Sequence, residues 1–105
     1  MATVYIREYA DVGVTGPGKV IQAGQEPGIA DQTVTTSATS APSNAFNANT
    51  RLIAISVPAT AVACLFSATR GATPTALVTS LRLGANNIYF FGVYPGDKVA
   101  LIDVT

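Results

Sequence analysis

Residues 51–66 read RLIAISVPATAVACLF and contain two short runs in which apolar side chains recur at every second position. The side chains that share a face are Ile53, Ile55 and Val57 in the first run and Val62, Cys64 and Phe66 in the second. A period of two residues is that of a β-strand, and Pro58-Ala59-Thr60 between the runs supplies a corner. The stretch therefore predicts two consecutive strands that each bury one face.

The same alternation extends through most of the 105 residues, in segments separated by Gly, Pro, Asn and Asp. We predict further strands over Thr3–Tyr9, Val20–Ala23, Asp31–Ala38, Leu77–Leu83, Ile88–Val93 and Lys98–Val104. No apolar repeat at helical spacing separates them, so the helices that parallel crossovers need are missing. The expected fold is all-β: a single antiparallel β-sandwich domain over residues 1–105, with the jelly roll as one form and about seven or eight short strands.

Two stretches interrupt this regularity. Residues 37–50 are almost entirely Ser, Thr, Ala, Asn and Pro and predict a long polar loop. Phe46 within it indicates a loop attached to the domain body and not a flexible linker. Residues 1–28 are a candidate N-terminal arm that folds back over the domain. Near the other end, Pro95-Gly96 predicts a type II turn in which the glycine takes a positive φ.

Charge is scarce: Asp, Glu, Lys and Arg make up 11% of the chain, and the formal net charge is zero. An ordinary soluble domain has about 25%. An uncharged polar surface explains the low value, and so does a surface that neighbouring subunits cover. Several strands are apolar on both faces, as in Leu52/Ile53, Tyr89/Phe90/Phe91 and Leu101/Ile102. We expect neighbouring subunits, or the N-terminal arm, to cover the second face.

The composition also argues against several partners and reactions. Six basic residues scattered among six acidic ones form no stripe for nucleic acid. The weakly polar run 52–66 is too short to span a bilayer, and the opening residues lack the pattern of a signal peptide, so synthesis in the cytoplasm is expected. The chain has no histidine and one cysteine, which removes the common nucleophile pairs and zinc clusters. We expect no enzyme activity, no cofactor and no metal ion, with Cys64 a buried core thiol.

Aromatic residues and one arginine are the candidates for contact with a partner. Those on the outer face of the first predicted strand combine residue types that are frequent in interfaces. The aromatic cluster of residues 89–94 contributes to the same interface, or alternatively stacks on a sugar. The candidate interface residues are Tyr5, Arg7, Tyr9, Tyr89, Phe91 and Tyr94.

Several short segments carry a resemblance to a known group of proteins. They are Ala2-Thr3-Val4-Tyr5-Ile6-Arg7-Glu8-Tyr9, Asn49-Thr50-Arg51-Leu52-Ile53, Ala63-Cys64 and Tyr89-Phe90-Phe91-Gly92-Val93-Tyr94-Pro95-Gly96-Asp97-Lys98. These segments resemble small virion structural proteins of tailed bacteriophages and prophages. Members often carry His-Thr-Asp before the cysteine, where this chain has Ser56-Val57-Pro58-Ala59-Thr60, so no role of that histidine is carried over.

The resemblance implies a capsid decoration or cement protein on the outer capsid surface of a virion. Such a protein bridges major capsid proteins and associates with itself, and here a trimer is preferred to a dimer. Neither nucleic acid nor membrane is an expected partner. Two alternatives remain open, namely another virion part such as a tail, neck or fibre-base protein, and a carbohydrate-binding β-module.

Overall fold

The computed structural model describes residues 3–14, 20–24 and 26–104, and in these ranges the chain is all-β. The strands are β1 (Thr3–Tyr9), β2 (Val12–Val14), β3 (Val20–Gly24), β4 (Ala30–Thr35), β5 (Ala41–Pro42), β6 (Leu52–Ser56), β7 (Val62–Phe66), β8 (Leu81–Leu83), β9 (Ile88–Gly92) and β10 (Val99–Asp103). Two antiparallel sheets of four strands each form a β-sandwich, which confirms the predicted fold class. Across the described ranges, no helix is long and apolar enough to cross a membrane.

Sheet one has the strand order β4-β1-β6-β9, sheet two has the order β5-β10-β7-β8, and β2 and β3 form a separate hairpin. β1 is antiparallel to both of its neighbours, with Arg7 opposite Asp31 on β4 and Ala54 on β6. Residues Thr3–Tyr9 therefore belong to the interior of a sheet. Both edges of β1 are occupied by strands of its own sheet, and the arm expected over 1–28, which in part lies outside the described residues, stays a prediction.

The core between the sheets follows from the alternation along the strands. Its buried members include Val4, Ile6, Ile53 and Ile55 from sheet one and Val62, Cys64, Val99 and Leu101 from sheet two. Cys64 is buried as predicted, and that burial raises the pKa of its thiol to about 11. The thiol is therefore protonated at neutral pH and packs as a small apolar group.

The polar loop 37–50 is attached to the body, as Phe46 predicted. The Phe46 ring is buried in the core, its N–H donates to the Asp97 carbonyl at 2.8 Å, and its carbonyl accepts from the Gly96 N–H at 3.1 Å. Gly96 has a φ of 82°, and the Asp97 N–H donates to the Tyr94 carbonyl at 3.2 Å. The predicted turn at Pro95-Gly96 is thus present, and it holds the loop.

A buried carboxylate fastens the same loop to β1. Glu8 is 3% exposed, and its Oε1 accepts from the Asn47 N–H and the Thr50 hydroxyl, both at 2.7 Å. Its Oε2 accepts from Gln32 Nε2 at 3.2 Å. A buried carboxylate is tolerated when its oxygens receive such hydrogen bonds. Glu8 therefore joins β1, β4 and the polar loop at one point.

One strand prediction is wrong in part, and two short strands were not predicted. The strand expected over Leu77–Leu83 is present only as Leu81–Leu83, because Ser80 closes a turn: its N–H donates to the Leu77 carbonyl at 2.8 Å, and its hydroxyl accepts from the Leu77 N–H at 2.9 Å. The unpredicted strands are β2 (Val12–Val14) and β5 (Ala41–Pro42), the second of which lies within the predicted polar loop 37–50. The jelly-roll form stays a prediction.

Candidate docking surface

Three strand segments are apolar on both faces. In two of them, other residues of the same chain cover the second face. On sheet two, Ala76 packs over Ala63, Ala100 and Ile102, and all four are buried. On sheet one, Leu52 and Ala54 are buried together with Tyr9, and Val12 of β2 packs against them. Neighbouring subunits are therefore not needed at these two places, and on sheet one the cover comes in part from β2, within the residues 1–28 for which the alternative cover was expected. This leaves the outer side of β9 as the remaining apolar place in the described part of sheet one.

A concave space of about 620 Å³ lies on the outer face of sheet one. We call it the outer groove. The residues that define it are Tyr5 and Arg7 on β1, Ala54 and Ser56 on β6, and Ile88 and Phe90 on β9.

Strand register explains why this face is concave. Tyr5, Ser56 and Ile88 form one row across the three strands, because Ser56 pairs with both of the others. The next row is Arg7, Ala54 and Phe90. In each row a small residue of β6 stands between two large ones, so β6 forms the floor and its neighbours form the walls. The concave shape therefore follows from the sizes of the residues that lie opposite one another on β1, β6 and β9.

The walls of the outer groove are exposed and differ in chemistry. Tyr5, Ile88 and Phe90 have 56%, 62% and 41% of their surface exposed. Single exposed apolar residues are common on proteins, whereas a group of them around one concavity marks an interaction site. The β9 wall is apolar, and the β1 wall combines an aromatic ring with a cation.

The cation is held in place by two carboxylates. Arg7 Nε and Nη2 donate to the two Asp31 oxygens at 2.8 and 3.2 Å, and Nη1 donates to Glu26 Oε1 at 3.0 Å. The hydrogen bond from Arg7 lowers the pKa of Asp31, which stays ionised at neutral pH. The guanidinium is thus oriented before any partner arrives, although surface ion pairs such as these contribute little stability.

Tyr9 lies at the end of the outer groove and is 5% exposed. Its hydroxyl donates to Glu26 Oε2 at 2.9 Å. Burial, together with this hydrogen bond, raises the pKa of the Tyr9 phenol. Gly24 of the β2–β3 hairpin contacts the Tyr9 ring so closely that a Cβ there would clash. Tyr9 is therefore largely covered by the chain itself and closes the end of the groove, and its role as a contact residue stays a prediction.

Two other candidates face the core. Tyr89 and Phe91 are half-buried against the sandwich interior, the Tyr89 hydroxyl accepts from the Gly84 N–H at 2.8 Å, and the Phe91 ring lies 5.1 Å from that of Phe66. The exposed residues of β9 are their neighbours Ile88 and Phe90, which the sequence-based candidates did not include. In an apolar run of five residues, the pattern alone does not reveal which alternate set is exposed.

Tyr94 belongs to a different place. Its ring carries the Arg70 guanidinium at 4.0 Å, and Arg70 Nη2 is 3.2 Å from Asp97 Oδ2. Asp97 is buried, and its Oδ1 accepts from the Gly71 N–H at 2.8 Å. These contacts surround a smaller cavity of about 160 Å³. Because Asp97 is committed to holding the loop at Gly71, this cluster organises a loop of the chain itself.

The remaining carboxylate of interest, Asp103, accepts a hydrogen bond from the buried Thr36 hydroxyl, which lowers the pKa of Asp103. Among the described residues, no three of the types His, Cys, Asp and Glu are grouped to hold a metal ion.

No protein-family model matches the chain, and no match was found among curated proteins or solved structures.

Proposed function

We propose that the chain is a bacteriophage capsid decoration or cement protein that binds the outer shell through the outer groove and has no catalytic activity. The observation that carries the proposal is the groove itself, where Tyr5, Ile88 and Phe90 stay exposed around an uncharged floor. The resemblance to virion structural proteins supplies the phage context and names the major capsid protein as the partner.

The groove has the properties of a rigid docking surface. Its large side chains stand on three paired strands, so few backbone degrees of freedom are lost on binding. Burial of its apolar surface contributes about 25 cal/mol per Å². Arg7 adds a directed donor that Asp31 and Glu26 already hold in position. A segment of a capsid subunit that presents apolar side chains beside a hydrogen-bond acceptor fits both walls.

A shell offers many symmetry-related copies of the same partner. Weak single contacts then add up. Once one copy of an oligomer has bound the shell, the contact that the next copy makes with the shell is intramolecular. Reinforcement of the shell requires that the protein contact more than one capsid subunit, either directly or through self-association. Homo-oligomer formation is thus part of the proposed function.

Co-sedimentation with expanded empty capsids of a phage that encodes this chain tests the proposal. We expect the wild-type protein to pellet with the shells and to raise their melting temperature. Tyr5→Ala should weaken binding by about 30-fold, as for a central interface tyrosine worth about 2 kcal/mol. The matched control is Leu65→Ala, on the outer face of sheet two and 43% exposed, which should bind normally. Failure of the wild-type protein to bind, or equal loss in both variants, would contradict the proposal.

Labelling of intact virions separates the shell from other virion parts. Gold particles bound to an epitope tag should be distributed over the whole head. Labelling confined to the tail, neck or fibre base would replace the decoration assignment by one of those.

A carbohydrate-binding module is the second candidate, and the groove favours it through Tyr5 and Phe90 beside the polar groups of Arg7 and Ser56. Aromatic faces next to hydrogen-bonding groups suit a sugar ring. A glycan array should then show hits that Tyr5→Ala abolishes and Leu65→Ala retains. An array without hits removes this candidate.

A further inference from the structure

We propose that β9 pairs edge to edge with β9 of a second copy, so that two chains form a two-fold dimer with one continuous eight-stranded sheet. This deepens the homo-oligomer part of the proposed function by naming the surface and the partner.

The backbone of β9 has a free side. The Val57 N–H donates to the Asn87 carbonyl and the Val93 N–H donates to the Arg51 carbonyl, both at 2.9 Å. The Asn87 carbonyl and the Val93 N–H therefore point toward β6. Because successive residues of a strand alternate in direction, Ile88, Phe90 and Gly92 present their N–H and C=O groups away from β6. In the described part of sheet one, no strand pairs with that side.

The other three edges of the two four-stranded sheets carry features that discourage pairing. β4 contains Asp31, β5 has two residues and one is Pro42, and β8 has three residues and contains Arg82. Charges, prolines and short strands are the usual protection of an exposed edge. β9 is five residues long, IYFFG, and has none of these features. An unprotected apolar edge is a template for another strand.

The sequence of β9 is compatible with itself. Pairing centred on Phe90 places Phe90 opposite Phe90 of the second copy and Ile88 opposite Gly92. Among the described residues, no atom lies within 4 Å of a Cβ placed at Gly92, which leaves room for the opposing isoleucine. With Ile88, Phe90 and Gly92 all in hydrogen-bonded pairs, about six backbone hydrogen bonds form and every free group of the edge is used. The opposed aromatic rings add cross-strand packing.

Electrostatics favours a second copy of the same chain. A two-fold axis places only the residue on the axis, here Phe90, opposite its own equivalent, so a charge at this position would meet a like charge. β9 carries no charge, and the whole chain has zero formal net charge. The pairing also sets two outer grooves side by side, which gives each dimer two docking surfaces. The two-fold pairing occupies the whole β9 edge, so the oligomer is a dimer and not the trimer expected from the resemblance.

Sedimentation velocity of the full chain and of charge variants at the axis tests the pairing. The wild-type protein should have a mass close to twice 10.8 kDa. Phe90→Lys and Phe90→Glu should each raise the dimer dissociation constant at least ~30-fold, since like charges then face each other. An equimolar mixture of the two variants should restore the dimer, because Lys at position 90 then faces Glu. Rescue by mixing also demonstrates that both variants fold.

The matched controls are Thr35→Lys and Thr35→Glu at an exposed position of β4, the opposite edge of sheet one. They should leave the mass at that of the dimer. A wild-type monomer or trimer, a dimer that survives both Phe90 variants, or a mixture that stays monomeric would overturn the proposal. A monomer that still binds capsids would refute the pairing and the homo-oligomer part of the proposed function, and it would leave capsid binding through the outer groove standing. A dimer that binds no capsid would refute the proposed function and keep the pairing.

Discussion

Removal of the Glu8 carboxylate should be among the most damaging single changes in this domain. Glu8→Ala leaves the Asn47 N–H and the buried Thr50 hydroxyl without the oxygen at 2.7 Å that each now contacts. An unsatisfied buried polar group costs about 1–3 kcal/mol. The expected loss is therefore about 3 kcal/mol, a large part of the roughly 5–15 kcal/mol that stabilises a domain of this size.

Urea unfolding followed by circular dichroism measures this loss. With an m-value of about 1.5 kcal/mol/M, a loss of 3 kcal/mol lowers the midpoint by about 2 M. Glu8→Gln retains one carbonyl acceptor and should lose roughly a third as much. Asp31→Ala is the control, since this carboxylate has a side chain 64% exposed and pairs with Arg7 on the surface, where such pairs contribute at most about 1 kcal/mol. If Glu8→Ala lowers the midpoint no more than Asp31→Ala does, Glu8 does not hold the polar loop.

Three further predictions concern a turn, a thiol and two carboxylates. Gly96→Ala should destabilise the fold by about 1–2 kcal/mol in the same assay, because Gly96 has a φ of 82°. Gly92→Ala should change the free energy of unfolding by no more than about 0.5 kcal/mol, because no described atom lies within 4 Å of a Cβ placed there. Cys64, with a thiol pKa of about 11, should react with Ellman's reagent only at the rate of unfolding, and fast labelling of the native protein would show it accessible. Hydrogen bonds from neighbouring side chains lower the pKa values of Asp31 and Asp103 below 3.8. The stability that these ionised carboxylates contribute is therefore present above pH 3.8, and it is lost as the pH falls through their lower pKa values in the folded state. The melting temperature should drop in that range, and a double Asp→Asn variant whose acid dependence equals that of the wild type would contradict this.

Local patterns were sufficient for much of the fold. The two runs of residues 51–66 are β6 and β7, with the corner between them. Phe46 and Gly96 were also interpreted correctly, because a single aromatic residue in a polar loop and a Pro-Gly turn each have one dominant physical explanation. These features depend on residues that are close together in the chain.

The outer groove was not accessible in the same way. Its shape depends on Ala54 lying between Arg7 and Phe90, a relation set by strand register and not by spacing along the chain. Whether an apolar face is covered depends on distant segments, such as Ala76 over sheet two. In the uninterrupted apolar run of β9, the sequence does not indicate which alternate residues are exposed, because pairing with β6 determines this. For this reason Tyr89 was chosen as a candidate contact residue, and its exposed neighbours Ile88 and Phe90 were not.

Cryo-electron microscopy of expanded capsids incubated with the protein tests the central claim most directly. We predict density for the β-sandwich on the outer shell, with the face of sheet one that carries Tyr5 and Phe90 in contact with the major capsid protein. A shell without added density, or bound protein whose outer groove faces solvent, would contradict the claim.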